Sequence, residues 1–371
     1  MIDTIAITLT KIQFQITDPE KFTHSADWAL EDRIKSIRIV SKQNPTKKEL
    51  LKGIYKPKLT LAYRSNPAGA LGIILRIELS LPKLAFGNNF NELRFKDFNP
   101  VVQKLVLILR EMGIVTTAQA IAQAPISAIH YSKNIKLTDG TTPYYYLQKL
   151  KESNMRLSLD VNQTDYRNEG HSYKWHTNSY EIVFYDKIKD LEKAKVSSKR
   201  AIEKESALQL QLLNGFKKRW KLEILRMEVR LNKRTKIKHL FKKLGIKSDL
   251  TLQKLFKPAI SKKVLLYYLE ELESKRPLLL DYKAADSKAL LTELILNNTH
   301  LKAKQILLLF GLKQALDITN PRELRIMFAR CNAKSWQRMM SDAAKLNLSF
   351  APSPLRILKE QLMKFEMIKV I

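Results

Sequence analysis

Residues 178–187 hold the grouping best suited to covalent chemistry, an apolar alternation through Tyr180, Ile182 and Phe184 that ends in Tyr185, Asp186 and Lys187. Read as a strand, it puts Tyr185 on one face with Glu181, Val183 and Lys187, and Asp186 on the other, because successive side chains alternate. A phenol beside an ammonium can attack a phosphodiester: the cation favours the phenolate and neutralises charge on the phosphoryl oxygens. The product would be a phosphotyrosine ester that a later hydroxyl can attack, so a strand could be opened and rejoined without an external energy source. A tyrosine at a strand end is more often a packing residue, and Tyr-x-Lys is a frequent spacing. The competing run Tyr144, Tyr145 and Tyr146 follows Pro143 and reads as the buried start of a helix.

Phosphoryl transfer commonly uses Mg²⁺ or Mn²⁺ to polarise the scissile phosphate and stabilise the leaving oxygen. Glu78 and His130 are the first candidates for ligands, since each interrupts an otherwise apolar strand. Glu228 is the third; Arg226 and Arg230 flank it at two-residue spacing, so an ion-pair cluster is an equal alternative. His176 could be a ligand or a DNA contact, although a surface imidazole is the simpler reading. Residues 160–170 alternate oxygen side chains but lack the midway glycine and closing glutamate of a calcium loop, and read as a hairpin connection. No phosphate-cradling glycine loop occurs, so ATP hydrolysis is not expected. Cys331, the single cysteine, reads as core filler.

The elements needed to position these residues divide by type. Strands are expected at residues 4–9, 58–63, 73–81, 126–131, 156–161, 180–185 and 222–231, with helices at 101–112 and 190–213. After Asn232 the pattern is helical, punctuated at Gly245, Pro258, Pro277, Gly311, Pro321 and Pro352. The expectation is therefore an α+β protein: a mixed, mainly antiparallel sheet domain over residues 1–232, then an all-helical domain over 233–371. No internal repeat or low-complexity segment is evident.

The formal charge of +30 and pI near 9.9 point to a polyanionic partner. Residues 193–263 carry 22 Lys or Arg against five Asp or Glu. Solvated helix faces would be better served by balanced pairs than by a one-signed field, so phosphate contact is the preferred reading. Lys217, Lys218, Arg219, Arg226, Arg230, Lys233, Arg234 and His176 are the DNA-contact candidates; Trp220, Tyr267 and Tyr268 could stack on bases, though core packing is commoner. No apolar run is long enough to span a bilayer, and the N-terminus lacks the pattern of a secretory signal, so a cytoplasmic location without membrane contact is expected.

The order of segments resembles that of the filamentous-phage gene II replication initiators and, more loosely, plasmid initiators with a Tyr-Asp-Lys or Tyr-Asn-Lys strand. The resemblance runs from Met1, Ile2, Asp3 and Thr4, through the strand around Glu78 with Pro82, Lys83, Phe86, Gly87 and Asn88, to residues 126–130, 175–187 and 225–231. It implies an HUH-like nickase domain, the family's tyrosine at Tyr185, a metal-dependent nick that leaves a 5′-phosphotyrosine and a primer 3′-hydroxyl, and service by a host helicase and polymerase. The chain departs from the family at His130 and Ala128, where the family has an Asp preceded two residues earlier by an Arg. It also lacks the His-hydrophobic-His metal pair of the wider nickase superfamily.

The expectation is a rolling-circle replication initiator, with Tyr185 attacking, Lys187 assisting and the metal holding the phosphate. Its main rival is a non-catalytic DNA- or RNA-binding protein, which the charge fits equally. A tyrosine recombinase ranks well below: its nucleophile would lie near the end of a helical catalytic domain, and no tyrosine follows Tyr282.

Overall fold

A computed structural model describes residues 1–30, 39–46, 48–49, 52, 54–65, 71–138, 140–152, 164–167, 171–190, 223–274, 278–319, 324, 327–328, 335–336, 338–349 and 353–368. Strand β1 (Ile2–Thr10) buries residues on both of its faces, which marks it as a central strand. In chain order the other described strands are β2 (Phe14–Ile16), β3 (Val40–Gln43), β4 (Lys58–Ser65), β5 (Leu71–Ser80), β6 (Ile114–Thr116), β7 (Ile126–Lys136), β8 (Thr164–Arg167), β9 (Ser172–His176), β10 (Tyr180–Asp186) and β11 (Ile224–Leu231). Nine of them form one sheet in the order β3-β4-β5-β1-β7-β11-β10-β9-β8, with every ladder antiparallel; β2 and β6 pair separately.

Period-two alternation divides the sheet chemically. One face carries Ile5, Ile77, Ile129, Val229, Ile182 and Trp175, all buried in the main apolar core. The helix Phe98–Glu111 contributes Val101, Val102, Leu105 and Leu109, the spacing of a single helical face. Register puts Glu78, Ala6, Ala128, His130, Arg230, Glu228, Arg226, Glu181 and Tyr185 on the opposite face. A one-residue bulge in β1 between Ile2 and Ile5 breaks the alternation there, and Asp3 reaches this polar side as well.

The expected α+β composition and antiparallel sheet are present; β2, β3, β6, β8 and β9 are additional to the strands read from sequence. Residues 156–161 and 191–213, expected as a strand and most of a helix, lie outside the described residues. Residues 164–167, expected within a hairpin connection, instead form strand β8, which pairs antiparallel with β9. The apolar core does not divide at residue 232 as expected. Ile237, Leu240, Phe241, Val264, Leu265 and Leu269, together with Leu358 and Leu362 near the C-terminus, share one cluster with the sheet. A second cluster gathers Leu279, Leu290, Leu294, Leu309, Leu312 and Trp336. Helical periodicity says where helices begin; which helices bury their stripes against the sheet is a tertiary outcome.

Candidate functional site

Tyr185 and Arg226 are register partners across β10 and β11, and Glu228 lies one same-face step along β11 from Arg226. That step lets three side chains meet on one carboxylate. The Tyr185 hydroxyl donates to Glu228 Oε1 at 2.8 Å, and Arg226 Nε donates to the same oxygen at 2.8 Å. Arg230 Nε and Nη2 donate to Oε2 at 2.9 and 2.7 Å, a two-bond fork, while its Nη1 pairs with Glu181 at 3.2 Å. Arg226 is itself buried and fully engaged. Its Nη2 meets Asp3 at 2.8 Å and Ser132 at 3.0 Å; its Nη1 meets the Asn89 carbonyl at 2.7 Å and Asn134 at 3.1 Å.

Burial works against a charged Glu228, but Arg230 and Arg226 overrule it and hold the carboxyl far below its usual range. Burial also pushes the Tyr185 phenol well above its ordinary value; Arg226 opposes this, and the neighbouring Glu228 adds to it. The resting site therefore holds a protonated phenol on an ionised carboxylate between two guanidinium groups. Such a carboxylate is a weak base. The groups able to lower a phosphoryl-transfer barrier here are the cations.

Lys187 is placed differently from the simple alternation. The strand stops at Asp186, whose Oδ1 accepts from the amides of Ile188 and Lys189 and turns the chain. Lys187 is buried, donates to Asn89 Oδ1 at 2.7 Å, and lies over the rings of Phe90 and Tyr185 at 5.2 and 5.8 Å from their centroids. It remains a neighbour of Tyr185, against the ring rather than the hydroxyl. Asn89 sits in the loop after the helix Leu81–Phe86, which Pro82 opens and Gly87 closes at φ +71°. Glu92 anchors that loop: it accepts from Lys133 Nζ, from the Asn134 amide at 2.8 Å and from the Ile368 amide at 3.0 Å.

The three expected metal ligands do not form a donor set. Glu78 pairs with Arg76 at 3.2 Å on the half-exposed sheet surface, two strand spacings or roughly 10 Å from β7. His130 Nε2 contacts Asn232 Oδ1 at 3.2 Å opposite Arg230; burial and Arg230 both depress its pKa. Both Glu228 oxygens are taken by arginines. No group of three or more His, Cys, Asp or Glu suited to a metal occurs among the described residues. Glu78, His130 and Glu228 thus do not fit Mg²⁺ or Mn²⁺ as one donor set, because Glu78 lies two strands from His130 and both Glu228 oxygens already accept from arginines.

Among the DNA-contact candidates, Arg226 is buried and Arg230 half-buried within the cluster, so neither presents a free guanidinium. Arg234 donates to the Ile126 carbonyl at 3.4 Å, Lys233 is exposed, and His176 is half-buried opposite Glu181. Lys217, Lys218, Arg219 and Trp220 lie outside the described residues. Tyr268 is buried, the commoner fate, and the half-buried Tyr267 packs edge-on against it. Sequence reading missed Asp3, Ser132, Asn134 and Asn89. Asp3 meets the criterion that selected Glu78, an acid on an apolar strand, and extending β7 by two-residue steps from His130 reaches Ser132 and Asn134. Nothing local marked Asn89 or Glu92. No described helix is long and apolar enough to cross a membrane. No protein-family model, curated protein or solved structure matches this chain.

Proposed function

We propose that the protein is a DNA-nicking and joining enzyme of the rolling-circle initiator type, in which Tyr185 is the nucleophile and Arg230 receives the phosphate. The observation that carries this reading is the Tyr185 hydroxyl held 2.8 Å from Glu228 between two guanidinium groups on the polar face of the sheet. The order of segments shared with the gene II initiators and the net charge of +30 support it.

A DNA phosphate that displaces Glu228 from Arg230 brings the phosphorus to the phenol and leaves Glu228 to orient the phenolic proton. The phenolic oxygen bonds to phosphorus, the P–O3′ bond breaks, the phenolic proton passes to solvent, and the leaving 3′-oxygen takes a proton from solvent. Arg230 at this position neutralises the charge that grows on the phosphoryl oxygens. The 3′-hydroxyl so formed would prime a host polymerase, with strand separation left to a host helicase. No step is assigned to Mg²⁺ or Mn²⁺.

The test is a covalent adduct. Incubation with single-stranded or supercoiled origin DNA, denaturation, DNA digestion and peptide mass spectrometry should find a nucleotide on Tyr185, and Tyr185→Phe should form neither adduct nor nick while keeping DNA affinity. An adduct on another tyrosine removes the assignment of Tyr185; nicking without any adduct makes water the nucleophile.

A second reading, a DNA- or RNA-binding protein without chemistry, is favoured by the burial and complete pairing of Tyr185. It predicts binding with neither nick nor adduct in the same assay.

A further inference from the structure

The segment that leaves β11 at Asn232 carries nine Lys or Arg between residues 233 and 257 against Asp249 alone. Its helix, Arg234–Lys243, buries Ile237, Leu240 and Phe241 in the main core. The outer face presents Thr235, Lys238, His239 and Lys242 at three- and four-residue spacing. Beyond the helix the backbone is pinned to the start of β7: the Ile126 amide donates to Leu250 O at 2.8 Å and the Leu252 amide to Ala124 O at 3.1 Å. The cations are therefore mounted on a backbone tied to the sheet.

Lys233, Lys238, Lys242, Lys247, Lys254 and Lys257 are all exposed, and none pairs with an acid among the described residues. The protein does pair its cations elsewhere: Lys313 with Asp317, Arg356 with Glu360, and Lys359 with Glu273. A helix C-terminus gives Lys242 a local purpose, since its dipole favours a cation. It gives none to Lys233, Lys247 or Lys257.

We infer that residues 233–257 form a sequence-independent phosphate track for DNA, which begins where Asn232 contacts His130. Lysine is a point charge and lacks the planar fork that reads guanine, so this surface supplies affinity and salt dependence rather than base choice. The inference rests on DNA as the partner but not on nicking by Tyr185.

The experiment measures binding of the full chain to fluorescent single-stranded and duplex DNA of two unrelated sequences across a salt series, with phosphatidylserine-containing vesicles as a separate anionic probe. Replacing Lys238, Lys242, Lys247 and Lys254 together by Gln should flatten the log affinity against log salt slope by up to about 3 to 4 units, equally for both sequences. The matching Lys→Arg variant should keep the slope, and an unchanged urea midpoint shows that the Gln variant folds. An unchanged slope, a loss confined to one sequence, or weakened vesicle binding with DNA binding intact overturns the track. Tyr185→Phe separates the two claims: its slope should equal that of the native protein. A missing adduct with the predicted slopes refutes nicking alone, and an adduct on Tyr185 with an unflattened Gln-variant slope refutes the track alone.

Discussion

The Tyr185 cluster and the 233–257 surface use charge in opposite ways although β11 leads from one directly into the other. In the first, the Glu228 carboxylate is shared by two arginines and a phenol in a buried network that includes Asp3, Ser132 and Asn134. In the second, lysines stand in solvent without acidic partners among the described residues. Desolvation explains the contrast, because a buried charge is tolerable only when paired and hydrogen-bonded, whereas a solvated one can remain unpaired until a ligand arrives. Mutations should therefore be read through stability in one region and through binding in the other.

The largest effect is expected at Glu228. Glu228→Ala leaves the buried Arg226 and half-buried Arg230 without their shared counter-charge and should destabilise the fold by about 3 to 5 kcal/mol in urea unfolding. A loss below about 1 kcal/mol would mean that water reaches the cluster readily, and the contrast between the two regions would collapse.

Tyr185→Phe should come next, at about 1.5 to 3 kcal/mol, since it removes one hydrogen bond to an ionised acceptor and leaves the ion pairs in place. The variant should stay folded, so a loss of the proposed nicking would report chemistry and not unfolding.

Acid sharpens the same point. The folded Glu228 pKa is depressed, so its contribution to stability is complete above the unfolded value near 4.5 and is lost as pH falls below that value toward the folded one. Unfolding free energy should decline in this window for the native protein and more shallowly for Glu228→Gln. Parallel pH profiles would show that other carboxylates set the acid limit.

The smallest structural effect belongs to the lysines. Lys238→Gln or Lys254→Gln should each stay within about 0.5 kcal/mol of the native protein, because both side chains are exposed and neither has an acidic partner among the described residues. A larger loss from either would assign that lysine to the fold instead of to a ligand.

Residue alternation in the sequence already determined that Tyr185 shares a face with Glu181 on β10 and that Arg226, Glu228 and Arg230 share one on β11. It also determined the helical change after Asn232 and the one-signed field of residues 193–263, because these depend only on residue type and period. The ion-pair alternative for Glu228 was equally legible, since two-residue spacing puts both arginines beside it. Strand order and register were not, as they follow from how distant segments bury their apolar faces together. Those long-range choices separated Glu78 from His130 and Glu228, brought Asp3 to Arg226 across a bulge, and set Asn89 against Lys187 from almost a hundred residues away. They also decided that the helices after β11 complete the core of the sheet, because an amphipathic stripe specifies an apolar partner without saying which one.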